Sequence, residues 1–234
     1  MSKWREWRQM LALAARTVAG RRYWLAPLLT LIWPIVIVIW AGFGNMESFE
    51  PVHAQNLFIG IPMVVLGMGL GGRVIAGEID RRTLEIAYTV PGGAYRVWLS
   101  KLAAVAGILL ASELLLGLVA ALFTGSVSLH ALYGAFQGAF FYAVLTMGFA
   151  TLAKSETTGL LLSSLVLLLN FSISGSNRPL RINPMWNALS SPEETPIAEL
   201  AAHAVQNRIG FLLLIVAIVA LTFGRAERRE KLLS

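Results

Sequence analysis

Long apolar stretches alternate with short polar ones along most of this chain. Six of the stretches come close to the roughly 20 residues that a helix needs to cross a bilayer. They cover residues 24–43, 57–76, 102–123, 131–152, 157–173 and 208–223. Pro34 lies inside the first and is expected to kink it, since proline removes a helical hydrogen bond. The pattern predicts an all-α membrane protein with a single transmembrane domain over residues 1–234.

The segment before the first span has a different periodicity, because its apolar residues recur every three or four positions. They are Trp4, Trp7, Leu11, Ala14 and Val18. Arg5 and Arg16 lie on the opposite side of the same helical wheel. This pattern predicts an amphipathic helix lying in the membrane interface, with tryptophan at headgroup depth. The alternative is an ordinary cytoplasmic lead into the first span.

Residues 77–101 are the longest charge-rich interruption in the first two thirds of the chain. Glu78, Arg81, Arg82 and Glu85 are spaced i, i+3, i+4 and i+7, so on one helix they form a single charged stripe. Glu78 and Arg82 are predicted to pair, and the helix should end at the glycines that follow Pro91. The alternative is a solvated loop with incidental helicity.

Composition agrees with a membrane protein, because 56% of the residues are hydrophobic and only 14% are charged. A soluble domain would carry about a quarter charged residues. Of the 19 Lys and Arg residues, 16 fall in the N-terminal segment, the loop at 77–101 and its flanks, the turn after the fourth span and the C-terminal tail. The positive-inside rule therefore places these segments, and both termini, in the cytoplasm. It also explains the net charge of +6 without nucleic acid, and the absence of cysteine excludes disulfides and thiolate metal sites.

Small residues recur four apart within two of the predicted spans. Gly67 and Gly71 belong to a run that formally matches a dinucleotide-binding fingerprint, but no strand precedes it. Close packing between helices is the better interpretation. Gly134 and Gly138 predict a second small-residue face.

Glu113 lies about twelve residues into the third predicted span, where an ionisable group is costly and is a functional candidate by default. Two interpretations stay open. Glu113 lines a substrate path together with Gln137, or it is a carboxyl tied to Ser112, Gln137 or another polar neighbour. Arg73, at the inner end of the second span, is expected to extend towards lipid headgroups.

The polar stretch at 174–207 is longer than a simple connection requires. A capping-box pattern at Ser191-Pro-Glu-Glu194 precedes the apolar residues 197–205. The pattern predicts either a re-entrant or surface helix over residues 191–206 or a plain outer loop.

One sequence pattern resembles a known family. Ala76-Gly77-Glu78, Thr83-Leu84-Glu85, Pro91 and Leu99-Ser100-Lys101-Leu102 are similar to the signature region of type-2 ABC exporter permeases. Arg82 stands where that family has a small residue, and Ser100 where glycine is usual. The resemblance implies a coupling helix that docks in a groove of a separate ATP-binding subunit. The residues that it assigns to ATPase coupling are Glu78, Asp80, Arg81, Arg82, Thr83, Leu84 and Glu85.

The resemblance also implies the partners and the location. Two copies of the ATPase subunit would bind ATP and Mg, and a second permease subunit, identical or homologous, would complete the pathway in the cell's inner membrane. The chain has no phosphate-binding loop of its own, its histidines make no metal-ligand pattern, and no catalytic residues are expected. The alternatives are an ATP-independent six-span carrier or channel, or a membrane assembly scaffold.

Overall fold

The computed structural model describes residues 3–41, 54–80, 83–89, 93–174, 183–190 and 196–228. All regular structure in these ranges is helical. A π-helix at Ala54–Gly60 and a 3₁₀ turn at Ala188–Ser190 accompany ten α-helices. These are α1 Lys3–Ala19, α2 Leu25–Leu29, α3 Ile32–Trp40, α4 Ile61–Gly72, α5 Ala76–Asp80, α6 Leu84–Thr89, α7 Ala94–Thr124, α8 Leu129–Ala153, α9 Glu156–Ser174 and α10 Ile197–Ala226.

Among the described residues, five helical segments are long and apolar enough to cross a membrane, which agrees with a multi-pass membrane protein. They are Gln55–Gly72, Ala94–Thr124, Leu129–Ala153, Glu156–Ile173 and Ile197–Ala226. The first predicted span, at 24–43, forms only the shorter apolar segment Leu25–Trp40 in the described part of the chain.

The break inside Leu25–Trp40 lies where the sequence predicts a kink. Pro34 has no amide to donate to the carbonyl of Thr30, four residues earlier. That carbonyl instead accepts the amide of Trp33 at 3.2 Å, in a tighter turn between α2 and α3. The hydroxyl of Thr30 donates to the carbonyl of Pro27 at 2.6 Å. Proline thus divides this segment into two short helices.

Helix α8 is the centre of the bundle. Within its most apolar stretch, 72% of the residues are buried, against 11% for α9 and 22% for α10. Helices α4, α9 and α10 all pack on α8. The apolar side chains that α9 and α10 leave exposed, such as Leu168 and Leu213, suit contact with lipid.

Glycine lets α4 approach α8 closely, as the sequence predicts. A Cβ on Gly71 would lie 2.0 Å from the carbonyl oxygen of Ala143, and one on Gly67 would lie 2.7 Å from that of Ala139. A side chain at either position would force the two helices apart. Gly138 meets a non-helical neighbour instead, because its Cβ would lie 2.5 Å from the carbonyl oxygen of Pro184.

Helix α1 confirms the predicted N-terminal helix and packs on α7. Ala14, Ala15 and Val18 are buried, whereas Trp7 and Leu11 are 53% and 37% exposed. The second half of the apolar stripe therefore joins the core, and the first half leaves apolar surface open.

The last helix corrects one prediction. Residues 197–206 form neither a separate helix nor an outer loop, because α10 runs without interruption from Ile197 to Ala226. Its 30 residues extend about 45 Å at 1.5 Å per residue. The proposed capping box at 191–194 lies outside the described residues.

Candidate coupling site

The sequence predicts one helix with one charged stripe after the second span, and this prediction is wrong in its geometry. Helix α5 ends at Asp80, and α6 begins only at Leu84. The amide of Thr83 donates to the carbonyl of Glu78 at 2.9 Å, a five-residue bond that lies outside the α-helical pattern. Glu78 and Glu85 therefore belong to two separate helices. Arg81 and Arg82 lie outside the described residues, and so does the predicted Glu78–Arg82 pair.

Glu78 points into the protein. Its Oε1 accepts a short hydrogen bond from the Nζ of Lys101, and its Oε2 accepts one from the Nε1 of Trp98 at 3.1 Å. Lys101 is only 4% exposed and also donates to the carbonyl of Val74 at 3.1 Å. Lys101 was expected in the cytoplasm because the third span was predicted to begin at residue 102. Instead α7 begins at Ala94, so Lys101 lies two turns inside a helix and compensates a buried carboxylate.

Asp80 and Arg73 connect α5 to the start of α9. The amide of Glu156, the first residue of α9, donates to Asp80 Oδ2 at 3.4 Å. The Nε of Arg73 donates to Glu156 Oε1 at 2.7 Å. Arg73 thus forms an ion pair within the chain, whereas it was predicted to extend towards lipid headgroups. An acidic group at the first turn of α9 also agrees with the polarity of the helix dipole.

Helix α6 is attached to the end of α10. Leu84 is buried at 3% exposure, and the hydroxyl of Tyr88 donates to the carbonyl of Ala226 in a short hydrogen bond. The Tyr88 ring meets that of Trp98 edge-on, with centroids 6.1 Å apart. Trp98 in turn packs on Phe223, with centroids 5.7 Å apart. One fully buried tryptophan therefore joins α6, α7 and α10.

The outward surface of the segment 76–89 is polar where its residues are described. Asp80, Thr83 and Glu85 are exposed, whereas Leu84 between them is buried. We name the segment 76–89, as far as it is described, the α5–α6 unit. Of the seven residues that the resemblance assigns to coupling, the structure presents these three outward and turns Glu78 and Leu84 inward. An arrangement of this kind can transmit force, because its inner side is bonded to three long helices and its outer side is free to contact a partner.

The two predicted path residues are buried but are not joined. Glu113 is 4% exposed, and within the described part of the chain its Oε1 has no hydrogen-bond partner. Ser112 donates to the carbonyl of Ile108, and Gln137 bonds to α10, so neither holds the carboxyl as one interpretation expected. A substrate path through Glu113 and Gln137 stays a prediction.

Gln137 belongs to a polar cluster that the sequence analysis missed. Its Nε2 donates to the carbonyl of Arg208 at 2.7 Å, and its Oε1 accepts from Arg208 Nη1 at 3.4 Å. The guanidinium carbon of Arg208 lies 5.6 Å from the ring centroid of Tyr133 and 5.9 Å from that of Trp186. Gln55 donates to the carbonyl of Trp186 at 2.8 Å. The one available signal was Arg208 itself, a lone arginine at the edge of an apolar run.

Among the described residues, no group of three or more His, Asp or Glu side chains is placed to hold a metal ion. Comparison of the chain with protein-family models, with curated proteins and with solved structures finds no match.

Proposed function

We propose that this chain is the membrane-spanning permease subunit of an ATP-binding-cassette exporter, driven by a separate ATPase subunit. The observation that carries the proposal is the α5–α6 unit. It is bonded to α7 through Glu78, to α9 through Asp80 and to α10 through Tyr88, and it leaves Thr83 and Glu85 exposed. The resemblance of this segment to the coupling region of type-2 exporters supports the same assignment.

The proposed topology has six spans in the cell's inner membrane, with α2 and α3 together as the first. Its support is the distribution of Lys and Arg, of which 16 in 19 belong to segments on one side. Both termini and the α5–α6 unit then lie in the cytoplasm. Two permease subunits and two ATPase subunits would form the transporter, and ATP and Mg would bind the ATPase subunits.

In this proposal, the ATPase contacts the exposed residues of the α5–α6 unit and its closure displaces the unit. The displacement reaches α7 because the bonds of Glu78 to Lys101 and Trp98 are largely enclosed. Lys101 and Trp98 are 4% and 0% exposed, so water does not compete for these contacts. The outward residues would set the affinity for the ATPase, and the inward residues would set the coupling.

The exposure of each side chain determines which residue is suitable for a test of docking to the ATPase. Charge reversal at Glu78 would break a buried ion pair and disturb the fold, whereas Glu85 is exposed on α6. The experiment is affinity purification of tagged full-length chain from its native membrane, with ATPase activity measured in the eluate. We expect wild-type chain and Glu199→Lys, an exposed change at the far end of α10, to retain an ABC ATPase subunit. Glu85→Lys should lose most of it.

Two outcomes would refute the proposal. The first is a wild-type eluate with neither an ABC ATPase subunit nor ATP hydrolysis. The second is equal recovery of the ATPase with Glu85→Lys and Glu199→Lys. Either result would favour the ATP-independent carrier or channel, for which the buried carboxyl of Glu113 is the one specific observation.

A further inference from the structure

A cavity of about 420 Å³ lies between α8 and α10, near the ends of both helices. This volume falls within the range of roughly 300–1,000 Å³ typical of ligand pockets. Its walls are mainly apolar, and three polar residues, Thr151, Thr222 and Arg225, lie among them. The residues that matter for the argument are Phe149, Leu152, Ile218, Leu221, Thr222 and Arg225.

Arg225 gives this cavity a charge without a counter-charge. No acidic side chain pairs with it among the described residues, and its Nε is enclosed and lacks a hydrogen-bond acceptor. A ligand in the cavity reaches the terminal nitrogens of the guanidinium and not the enclosed Nε, and an oxyanion is the group that pairs with these terminal donors best. The cavity therefore combines apolar walls with a single site for a negative charge, which is the profile of an anionic amphiphile.

The position of the cavity narrows the choice of ligand. Gly148 to Leu152 form the last turns of α8, and Ile218 to Arg225 form the last turns of α10. In the topology proposed above, these ends face the cytoplasmic leaflet, where anionic phospholipids are concentrated. Leu221 is 74% exposed at the cavity wall, so the cavity opens on the apolar surface of the bundle.

We infer that this cavity binds an anionic phospholipid. Its phosphate contacts the guanidinium of Arg225, whose planar array of N–H donors matches phosphate oxygens. One acyl chain lies along Phe149, Ile218 and Leu221. The inference depends on the membrane topology and not on the ATPase, so its test contains neither ATPase nor ATP.

The test uses the purified full chain in a neutral detergent. Dioctanoyl phosphatidylglycerol, dioctanoyl phosphatidylcholine and glycerol phosphate are titrated separately, and binding is measured by calorimetry. We expect phosphatidylglycerol to bind about fivefold more tightly than phosphatidylcholine, since one basic residue contributes about 1 kcal/mol towards an anionic lipid. Glycerol phosphate should bind far more weakly because it lacks the acyl chains. Arg225→Gln should abolish the preference, and Arg228→Gln, at a neighbouring exposed position, should keep it.

Arg225→Lys keeps the charge and should keep part of the preference, and it serves if Arg225→Gln does not fold. Equal binding of the two lipids by wild-type protein would overturn the inference without reference to any variant. If Arg228→Gln lost the preference for phosphatidylglycerol to the same extent as Arg225→Gln, general surface charge and not the cavity would select the lipid. Displacement of bound lipid when the protein dimerises, detected by mass, would instead assign this face to a second copy of the chain.

Discussion

Lys101 and Glu78 form an ion pair across 23 positions of sequence, with side chains only 5% and 13% exposed. This pair connects the short helix α5 to the long helix α7. Its carboxylate is also held by Trp98, and its ammonium group by the carbonyl of Val74. Within the α5–α6 unit, Glu78 thus forms an internal ion pair, whereas Asp80 and Glu85 lie on the external surface.

Removal of one partner of this pair should destabilise the protein strongly. Lys101→Met leaves a carboxylate buried without its cation, and breaking a buried pair costs about 3–5 kcal/mol. We expect the free energy of unfolding of Lys101→Met, measured in mixed micelles, to fall by an amount in this range. Arg96→Met, an exposed change on the same helix, should cost less than about 0.5 kcal/mol. An equal fall in the free energy of unfolding for the two variants would contradict a stabilising role of the Lys101–Glu78 pair.

The Arg73–Glu156 pair, unlike the Lys101–Glu78 pair, should contribute little to stability. Its side chains are 43% and 31% exposed, so water and salt compete with the 2.7 Å contact. Exposed ion pairs contribute about 0–1 kcal/mol. We expect Arg73→Gln to cost less than about 1 kcal/mol, and this cost should shrink as salt is raised. The cost of Lys101→Met should not change with salt, and the same unfolding measurement serves both.

The glycines of α4 should tolerate alanine in a graded order. Gly71→Ala places a Cβ 2.0 Å from a backbone oxygen of α8 and should cost about 1–3 kcal/mol through overpacking. Gly67→Ala, at 2.7 Å, should cost less. Gly69 has no neighbouring atom within 4 Å, so Gly69→Ala should be neutral or stabilising by up to about 1 kcal/mol. Thermal unfolding of the three variants measures the order, and a destabilised Gly69→Ala would contradict it.

Tyr88→Phe should loosen α6 without unfolding the bundle. It removes the hydroxyl that donates to the carbonyl of Ala226 and keeps the ring that packs on Trp98. Loss of one hydrogen bond costs about 1 kcal/mol. We expect faster hydrogen exchange of the amides at 84–89. Tyr95→Phe, which changes an exposed tyrosine, should leave their exchange unchanged. If both variants behave alike, Tyr88 does not hold α6.

Local pattern was enough to predict several features. Apolar length predicted the five described helical segments that can cross a membrane, and Pro34 predicted the break between α2 and α3. The four-residue spacing of Gly67 and Gly71 predicted close helix packing, although not that α8 is the partner. Each of these depends on neighbours in sequence, so the chain alone carries the information.

Long-range pairing could not be predicted in the same way. Helical spacing offered Arg82, which lies outside the described residues, as the partner of Glu78, and the bond that the structure shows joins Glu78 to Lys101 on α7. The polar residues around Asn207 and Arg208 looked like the end of a loop. They lie within α10 because Gln137 and the rings of Tyr133 and Trp186 accommodate Arg208, and because the side-chain amide of Asn207 donates to the carbonyl of Asn183. Such partners come from other helices, and a single sequence does not reveal which helices meet.

The unbroken course of α10 has a mechanical consequence. It is one stiff rod that carries the Tyr88 contact at Ala226 and the polar cluster at Arg208, 18 residues or about 27 Å apart. A tilt of about 5° applied at the Ala226 end would shift Arg208 sideways by about 2 Å, given this length. A shift of that size exceeds the tolerance of the 2.7 Å hydrogen bond between Gln137 and Arg208. The Tyr88 contact at Ala226 and the polar cluster at Arg208 therefore cannot move independently as long as α10 stays straight.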